Sequence, residues 1–367
     1  MIYVHVPFCR SFCTYCDFYS EIACRGRDGE AFGHYADGVC DEIAGRRAEI
    51  AGTLGTNTLY IGGGTPSVLP PSCLKRIVDA IRTVATEPFT EFTVEVNPDD
   101  VVEKGPDYLS ELRAMGVNRV SMGVQSLDDR VLRWMNRRHD AGGARTAFRL
   151  LRDAGFDNIS VDVIFGINSS VPGGVPFEET LCMTLREIVS WRPAQVSAYQ
   201  LSVEEDSALG KLAAAGKYEE ASDSDCGRQY ETVCAMLKEA GYVHYEISNW
   251  ALPGKEAVHN SAYWTRAPYV GLGPGAHSLS ADGRKRTWNS RELRGWTSSG
   301  EELGPEEAGE ESIMLGLRTA AGIPETLVGG DTLRSMLAAG LLERCGGNVR
   351  IPESRFFVSD DIISSLL

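Results

Sequence analysis

The chain has 367 residues, a formal net charge of -15, 43% hydrophobic and 24% charged residues. That is enough apolar material for one large core plus a small unit, and it argues against disorder. The acidic balance argues against coating nucleic acid or an anionic membrane, because both reward a basic face.

The opening MIYVHVPFC has no basic n-region, no long apolar run and no small-residue cleavage site, so no signal peptide is expected. No stretch approaches the roughly 18 apolar residues of a membrane-spanning helix, and a cytoplasmic location is expected. The ten cysteines do not read as a disulfide framework. Cys9, Cys13 and Cys16 crowd together. Cys24, Cys40, Cys73, Cys182, Cys226, Cys234 and Cys345 are scattered and read as small buried hydrophobes.

The first predicted strand, Ile2–Val6, runs into the cysteine cluster. A helix follows over 32–50, with Ala36, Val39, Ile43 and Ala44 on one face. Strand 58–61 runs into Gly62-Gly63-Gly64-Thr65-Pro66, and helix 74–84 follows. Strand 92–96 carries Glu95 and leads to Asn97-Pro98, with a helix at 108–115. Strand 119–124 leads to Gln125-Ser126, with a helix at 141–154. Strand 159–165 carries Asp162 and leads to Gly166, followed by helix Phe177–Trp191. Strand 195–201 includes Tyr199 and Gln200. Gly116 and Gly155 sit where a helix C-terminus takes a left-handed residue.

Six strand–helix units in series predict an α/β fold with a parallel sheet and outer helices. Six is short of the eight that close a full barrel, so the expectation is an open, partial (β/α)6 barrel. Polar motifs recur at the carboxyl ends of the strands, where such folds line their active sites.

Beyond Ser202 the pattern changes. A helix is predicted over 223–240, then a Gly-, Pro- and aromatic-rich stretch over 245–287, then a polar linker over 295–305. Helices at 310–317 and 332–342, a hairpin turn at 345–349 and a last helix at 360–366 predict a small winged-helix-like unit. Residues 301–367 hold 12 acidic and 5 basic side chains, so no DNA-reading role is expected. The expected organisation is a barrel over 1–205, an extension over 206–295 and a C-terminal domain over 306–367.

Cys9-x3-Cys13-x2-Cys16 carries the clearest chemistry. Thiolates are natural ligands of iron–sulfur clusters, and three of them leave one iron of a 4Fe–4S cubane open. That iron can chelate the amino and carboxylate groups of a methionine moiety. Pro7, Phe8 and Phe12 would shield the cluster from water. The alternative is structural zinc, which wants four closed ligands, and no suitable fourth lies nearby. The glycine run after the second strand suits close backbone approach to a ligand, or a plain turn. Glu95, Gln125, Arg137 and Asp162 sit at or just beyond the third to fifth strands. Carboxylates suit hydroxyls and positive charge, and arginine suits a carboxylate. They could equally brace the barrel mouth, and Arg138 could exchange roles with Arg137. In His259-Asn260-x-x-Tyr263-Trp264 an imidazole can ligate heme iron and the rings can stack on a porphyrin. The same word also suits a half-buried aromatic loop. His277, after a Gly-rich turn, is a second candidate for ligating that iron, though a histidine so placed is more often a structural hydrogen-bonder.

The cysteine motif after a first strand resembles the signature of the radical S-adenosylmethionine superfamily. Tyr3-Val4-His5-Val6-Pro7-Phe8-Cys9, Cys16-Asp17-Phe18, the GGGTP run, Glu95-Val96-Asn97-Pro98 and Met122-Gly123-Val124-Gln125-Ser126 are similar to the oxygen-independent coproporphyrinogen III oxidase-like group, and within it to a heme-chaperone branch. The resemblance covers essentially the whole chain. It implies a 4Fe–4S cluster on Cys9, Cys13 and Cys16. It implies S-adenosylmethionine lined by Gly63, Gly64 and Thr65, flanked by Tyr3 and Tyr15, and surrounded by Glu95, Gln125, Arg137 and Asp162. It associates His259, Tyr263 and Trp264 with heme. The implied function is to hold heme and pass it to apo-hemoproteins such as respiratory cytochromes, with any membrane contact made through the client.

Three departures matter. Phe18 stands where coproporphyrinogen dehydrogenases carry a further cysteine, and their N-terminal extension has no counterpart before Tyr3; both argue against porphyrinogen decarboxylation. Gly166-Ile167-Asn168 stands where the branch usually has Leu-Pro after the glycine. The alternatives are a radical enzyme acting on a porphyrinogen-like substrate and a radical methyltransferase.

Overall fold

The computed structural model describes residues 1–22, 28–168 and 177–367. Its centre is built from β1 (Ile2–Val6), α1 (Asp28–Gly45), β2 (Thr58–Gly63), α2 (Pro71–Arg82), β3 (Glu91–Val96), α3 (Pro98–Ala114), β4 (Arg119–Gln125), α4 (Ala141–Asp153), β5 (Asn158–Phe165), α5 (Phe177–Trp191) and β6 (Gln195–Gln200). Strands β1 to β6 lie side by side in chain order, all parallel. This is the expected partial barrel.

The helix expected over 108–115 starts earlier, at Pro98, the first helical position after Asn97. Gly105 (φ 66°) and Pro106 break its period midway, which hid the first half from a pattern reading.

The segment after β6 adds α6 (Asp223–Glu239), β7 (Val243–Glu246), β8 (Asn249–Ala251), α7 (Val258–Trp264) and β9 (Val270–Leu272). Among the described residues the sheet has nine strands in the order β9-β1-β2-β3-β4-β5-β6-β8-β7. The stretch 206–295 is thus continuous with the barrel: β8 pairs antiparallel with β6, and β9 pairs parallel with β1.

The linker expected over 295–305 is corrected. It contains an exposed strand, β12 (Ser298–Glu302), which follows β10 (His277–Leu279) and β11 (Lys285–Asn289) in a separate antiparallel sheet. All of β12 is exposed, so it has no apolar alternation by which a strand is recognised.

The C-terminal unit is winged-helix-like, as expected. It runs α8 (Pro305–Gly316), β13 (Ile323–Pro324), α9 (Gly330–Ala338), the hairpin β14 (Glu343–Cys345) and β15 (Asn348–Arg350), and α10 (Ser359–Ser364). It docks on the β7 edge. The Ile247 amide donates to the Arg318 carbonyl at 3.0 Å, and the buried Phe356 ring meets His244 edge-on at 4.9 Å.

Side-chain alternation decides what the barrel encloses. Leu59, Ile61, Phe92, Val94, Val120, Met122, Val161, Val163 and Val196 belong to the apolar core shared with the helices. The intervening positions carry Tyr60, Glu95, Arg119, Ser121, Asp162, Ser197 and Tyr199, which line an interior cavity of about 510 Å³. A closed barrel of this class fills its interior with layers of branched apolar side chains. Polar, smaller residues leave this one hollow.

Candidate functional site

The cysteine loop is clamped from both sides. Phe8 anchors its start, packed edge-on against Phe32 and Tyr35 at 4.9 and 5.4 Å. The Thr14 amide donates to Met135 O (3.1 Å), the Leu209 amide donates to Thr14 O (2.7 Å), and Asn136 Nδ2 donates to Phe12 O (2.7 Å). Cys9, Cys13 and Cys16 are free, half-buried, and all on the cavity wall. Cys9 Sγ lies 3.4 Å from Thr65 Oγ1, and Arg137 Nη1 donates to Cys13 Sγ at 3.4 Å. Burial raises the Cys9 thiol pKa and pushes that of Cys16 up to about 11, so a metal loading here must displace protons.

Among the described residues no three His, Cys, Asp or Glu side chains converge on a single metal position. The expected shielding by Phe12 is corrected: it is 50% exposed and Phe18 68%, while Pro7 and Phe8 are buried as expected.

The glycine run serves its neighbours as much as any ligand. A side chain on Gly64 would stand 2.8 Å from Phe8 O and 3.0 Å from Val6 O, and Gly64 N donates to Val6 O at 2.8 Å. Gly63 (φ 112°) donates its amide to Glu95 Oε2 at 3.1 Å. The run lets the β2 loop back directly onto the start of the cysteine loop, while Gly63, Gly64 and Thr65 still line the cavity.

Glu95 and Asp162 stand inside the barrel. Glu95 accepts from Tyr60 Oη (2.7 Å) and Gly63 N, and Asp162 Oδ1 accepts from Ser121 Oγ (3.4 Å). Burial above all raises both pKa values, to about 7 for Glu95 and about 6 for Asp162.

Arg137 Nη2 donates to Asn97 Oδ1 (2.7 Å) and Gly123 O (2.6 Å), yet its buried Nε has no hydrogen-bond partner. Arg138 also reaches the cavity wall, but its guanidinium is paired with Asp99 (2.6 Å) and Asp100 (3.3 Å), unlike that of Arg137. Gln125 lines the cavity from a left-handed backbone (φ 66°) at a bulge in β4, a conformation that non-glycine residues hold mostly where the surroundings enforce it. Tyr15 and Tyr3 line the wall, and Tyr3 Oη is 3.0 Å from His5 Nδ1.

The His259 motif lies mostly off the cavity. It forms α7, beneath the amino ends of β2 and β3. Glu91 accepts from the Val258 and His259 amides at 2.8 and 2.9 Å. His259 is fully buried, with Nδ1 2.8 Å from Thr58 Oγ1 and Nε2 3.0 Å from Tyr263 Oη. Burial foremost lowers its pKa to about 3, so it is neutral. Both ring nitrogens are engaged in the core in this conformation, the arrangement of the half-buried aromatic segment that was the alternative for this motif. Tyr263 and Trp264 are half-buried and lie off the cavity, and within the motif only Asn260 reaches its wall. His277 departs the other way. It is exposed and makes no side-chain hydrogen bond among the described residues, so it is not the structural hydrogen-bonder expected.

The scattered cysteines divide. Cys73 and Cys226 are buried, Cys345 is exposed, and Cys24 lies outside the described residues. Sequence reasoning missed Tyr60, Arg119, Ser121 and Ser197 on the cavity wall. The available signal was polar residues alternating with apolar ones in strands of an otherwise buried parallel sheet, as in Arg119-Val120-Ser121-Met122-Gly123.

Among the described residues no helix is long and apolar enough to cross a membrane. Comparison with known proteins agrees with the geometry. Residues 3–170 match the radical SAM superfamily. The chain is 31% identical over 380 residues to the heme chaperone HemW of Mycobacterium tuberculosis, covering 100% of this chain and 94% of that one. It is 33% identical to the heme chaperone HemW of Bacillus subtilis, covering 88% of this chain and 84% of that one. The fold is similar to that of the radical SAM enzyme coproporphyrinogen III oxidase (HemN) from Escherichia coli, with a TM-score of 0.79 at 20% identity, over 100% of this chain and 89% of that one. This chain belongs to the radical SAM superfamily and, within it, to the HemW family.

Proposed function

We propose that this protein is a cytoplasmic heme chaperone: it holds heme as cargo and passes it to apo-hemoproteins, on a scaffold that carries a 4Fe–4S cluster and S-adenosylmethionine. The observation that carries the reading is the likeness to heme chaperones over the whole chain. The cavity supports it. Cys9, Cys13 and Cys16 would hold the cluster, and the open Arg137 Nε would meet the methionyl carboxylate. Glu95, Asp162 and Gln125 would take the ribose hydroxyls and the positive charge, with Gly63, Gly64, Thr65, Tyr3 and Tyr15 completing the wall. The bound groups supply one-electron chemistry at the sulfonium. The chain's own part is to orient the ligand, to limit water access with the clamped loop, and to keep two carboxylates ready to ionise beside a cation.

A second reading is a radical enzyme acting on a porphyrinogen-like substrate. It is favoured by the polar depth of the cavity, where Arg119, Ser197 and Tyr199 extend beyond the residues assigned to S-adenosylmethionine.

Anaerobic reconstitution tests the scaffold and separates the readings. It should give roughly four irons per chain. Cys9→Ala, Cys13→Ala and Cys16→Ala should each abolish the cluster, while Cys73→Ala should not. Wild-type protein should give a saturable Soret change at about one equivalent of heme, and should leave coproporphyrinogen III unconverted under reducing conditions with S-adenosylmethionine. A full cluster in Cys13→Ala would refute the metal assignment. Turnover of coproporphyrinogen III without heme binding would promote the enzyme reading.

A further inference from the structure

If heme is the cargo, the iron needs a ligand that can reach it. The chain has six histidines. Four are buried, each with a ring nitrogen engaged: His5 with Tyr19 O and Tyr3 Oη, His139 with Val124 O, His244 with Ile247 O, and His259 with Thr58 and Tyr263. His34 and His277 are exposed. His34 stands on α1 with no aromatic ring against it among the described residues. His277 does not stand alone. It pairs across the small sheet with Trp288, and the two rings lie nearly parallel, 6.1 Å apart at 29°.

The surroundings of His277 suit a flat, apolar dianion. Arg291, within electrostatic reach of His277, is exposed and has no ion pair or hydrogen bond from its guanidinium among the described residues. Arg286, also close, is already tied to Glu301 and Glu311. The imidazole pKa is lowered, first by partial burial and then by these two arginines, which favours the neutral form that binds metals. The strand is also tied to the cysteine loop. A side chain on Gly275, two residues before His277, would stand 3.3 Å from the Tyr19 ring, and Tyr19 lies three residues after Cys16.

We propose that His277 is the axial ligand of the heme cargo, with the Trp288 indole offering a ring face and Arg291 pairing with a propionate. This rests on the heme-chaperone reading and moves the heme site from the buried His259 motif to the face of the β10–β11–β12 sheet. A porphyrin there would bury one face on the protein and leave the other open, a geometry suited to release.

Heme titration followed by Soret absorption and by electron paramagnetic resonance of the ferric complex tests the assignment. Wild type and His34→Ala should show the same imidazole-ligated spectrum. His277→Ala should lose that signature and bind about tenfold more weakly, and added imidazole should restore the spectrum. Arg291→Ala should weaken binding with the spectrum unchanged. His259→Gln, where it folds, should keep the wild-type spectrum. A wild-type spectrum and affinity in His277→Ala would overturn this inference and leave the chaperone reading intact. Absence of saturable heme binding in the wild type would overturn both.

Discussion

At the scale of single residues, Glu95 and Asp162 are held against their preference for water. Burial disfavours the ionised forms, and Arg119 only partly offsets it. Their folded pKa values, about 7 and about 6, lie above the ordinary 4.5 and 3.8. The folded state therefore binds more protons than the unfolded chain between those limits. The two groups erode stability as pH rises through that window, by roughly 3 kcal/mol each. The denaturation midpoint of the ligand-free protein should fall between pH 5 and pH 7.5. The Glu95→Gln, Asp162→Asn double variant should show a flatter fall. Glu246, also raised to about 7 by burial, keeps part of the slope in both proteins. Identical slopes would refute this account. A cationic ligand prefers the ionised carboxylates, so S-adenosylmethionine affinity should rise across the same range.

At the scale of elements, α7 plugs the amino end of the barrel. Its first amides are capped by Glu91, and His259 spans from Thr58 on β2 to Tyr263 one helical turn on. Tyr60, on the same face of β2, packs 5.2 Å from His259 and donates to Glu95. The motif thus supports the strand that positions a cavity carboxylate. His259→Ala should cost about 2–4 kcal/mol in chemical denaturation, from a cavity and two stranded hydroxyls. It should also weaken S-adenosylmethionine binding in whatever fraction folds. Wild-type stability in that variant would show that the helix carries its own weight.

At the scale of the whole molecule, the C-terminal unit is held to the sheet edge by an aromatic group. His244 stacks on Trp250 at 4.1 Å, Phe356 closes on His244, and Phe357 meets Tyr230 at 5.5 Å. Phe356 is 1% exposed. Phe356→Ala should cost about 3–5 kcal/mol and give two unfolding transitions by calorimetry where the intact chain should give one. One unchanged transition would mean that the docking rests on the Arg318 contacts instead.

Much of this architecture is written locally. Strand and helix periods, the glycine loop and the three clustered cysteines are short-range features, because period and turn chemistry depend on near neighbours. The barrel and its cysteine-lined mouth could therefore be read from sequence, together with Glu95, Gln125, Arg137 and Asp162. The strand Ser298–Glu302 could not, since it is exposed throughout and shows no apolar alternation. Neither could the two histidines. His259 and His277 each follow a turn-rich segment and look alike in one dimension. What separates them is contact between distant parts of the chain: Thr58 meets His259 across 201 positions and draws it into the core, while the β10–β11 pairing sets His277 beside Trp288 at the surface. Which side of the sheet a returning segment faces depends on those long-range pairings, and only the tertiary structure decided it.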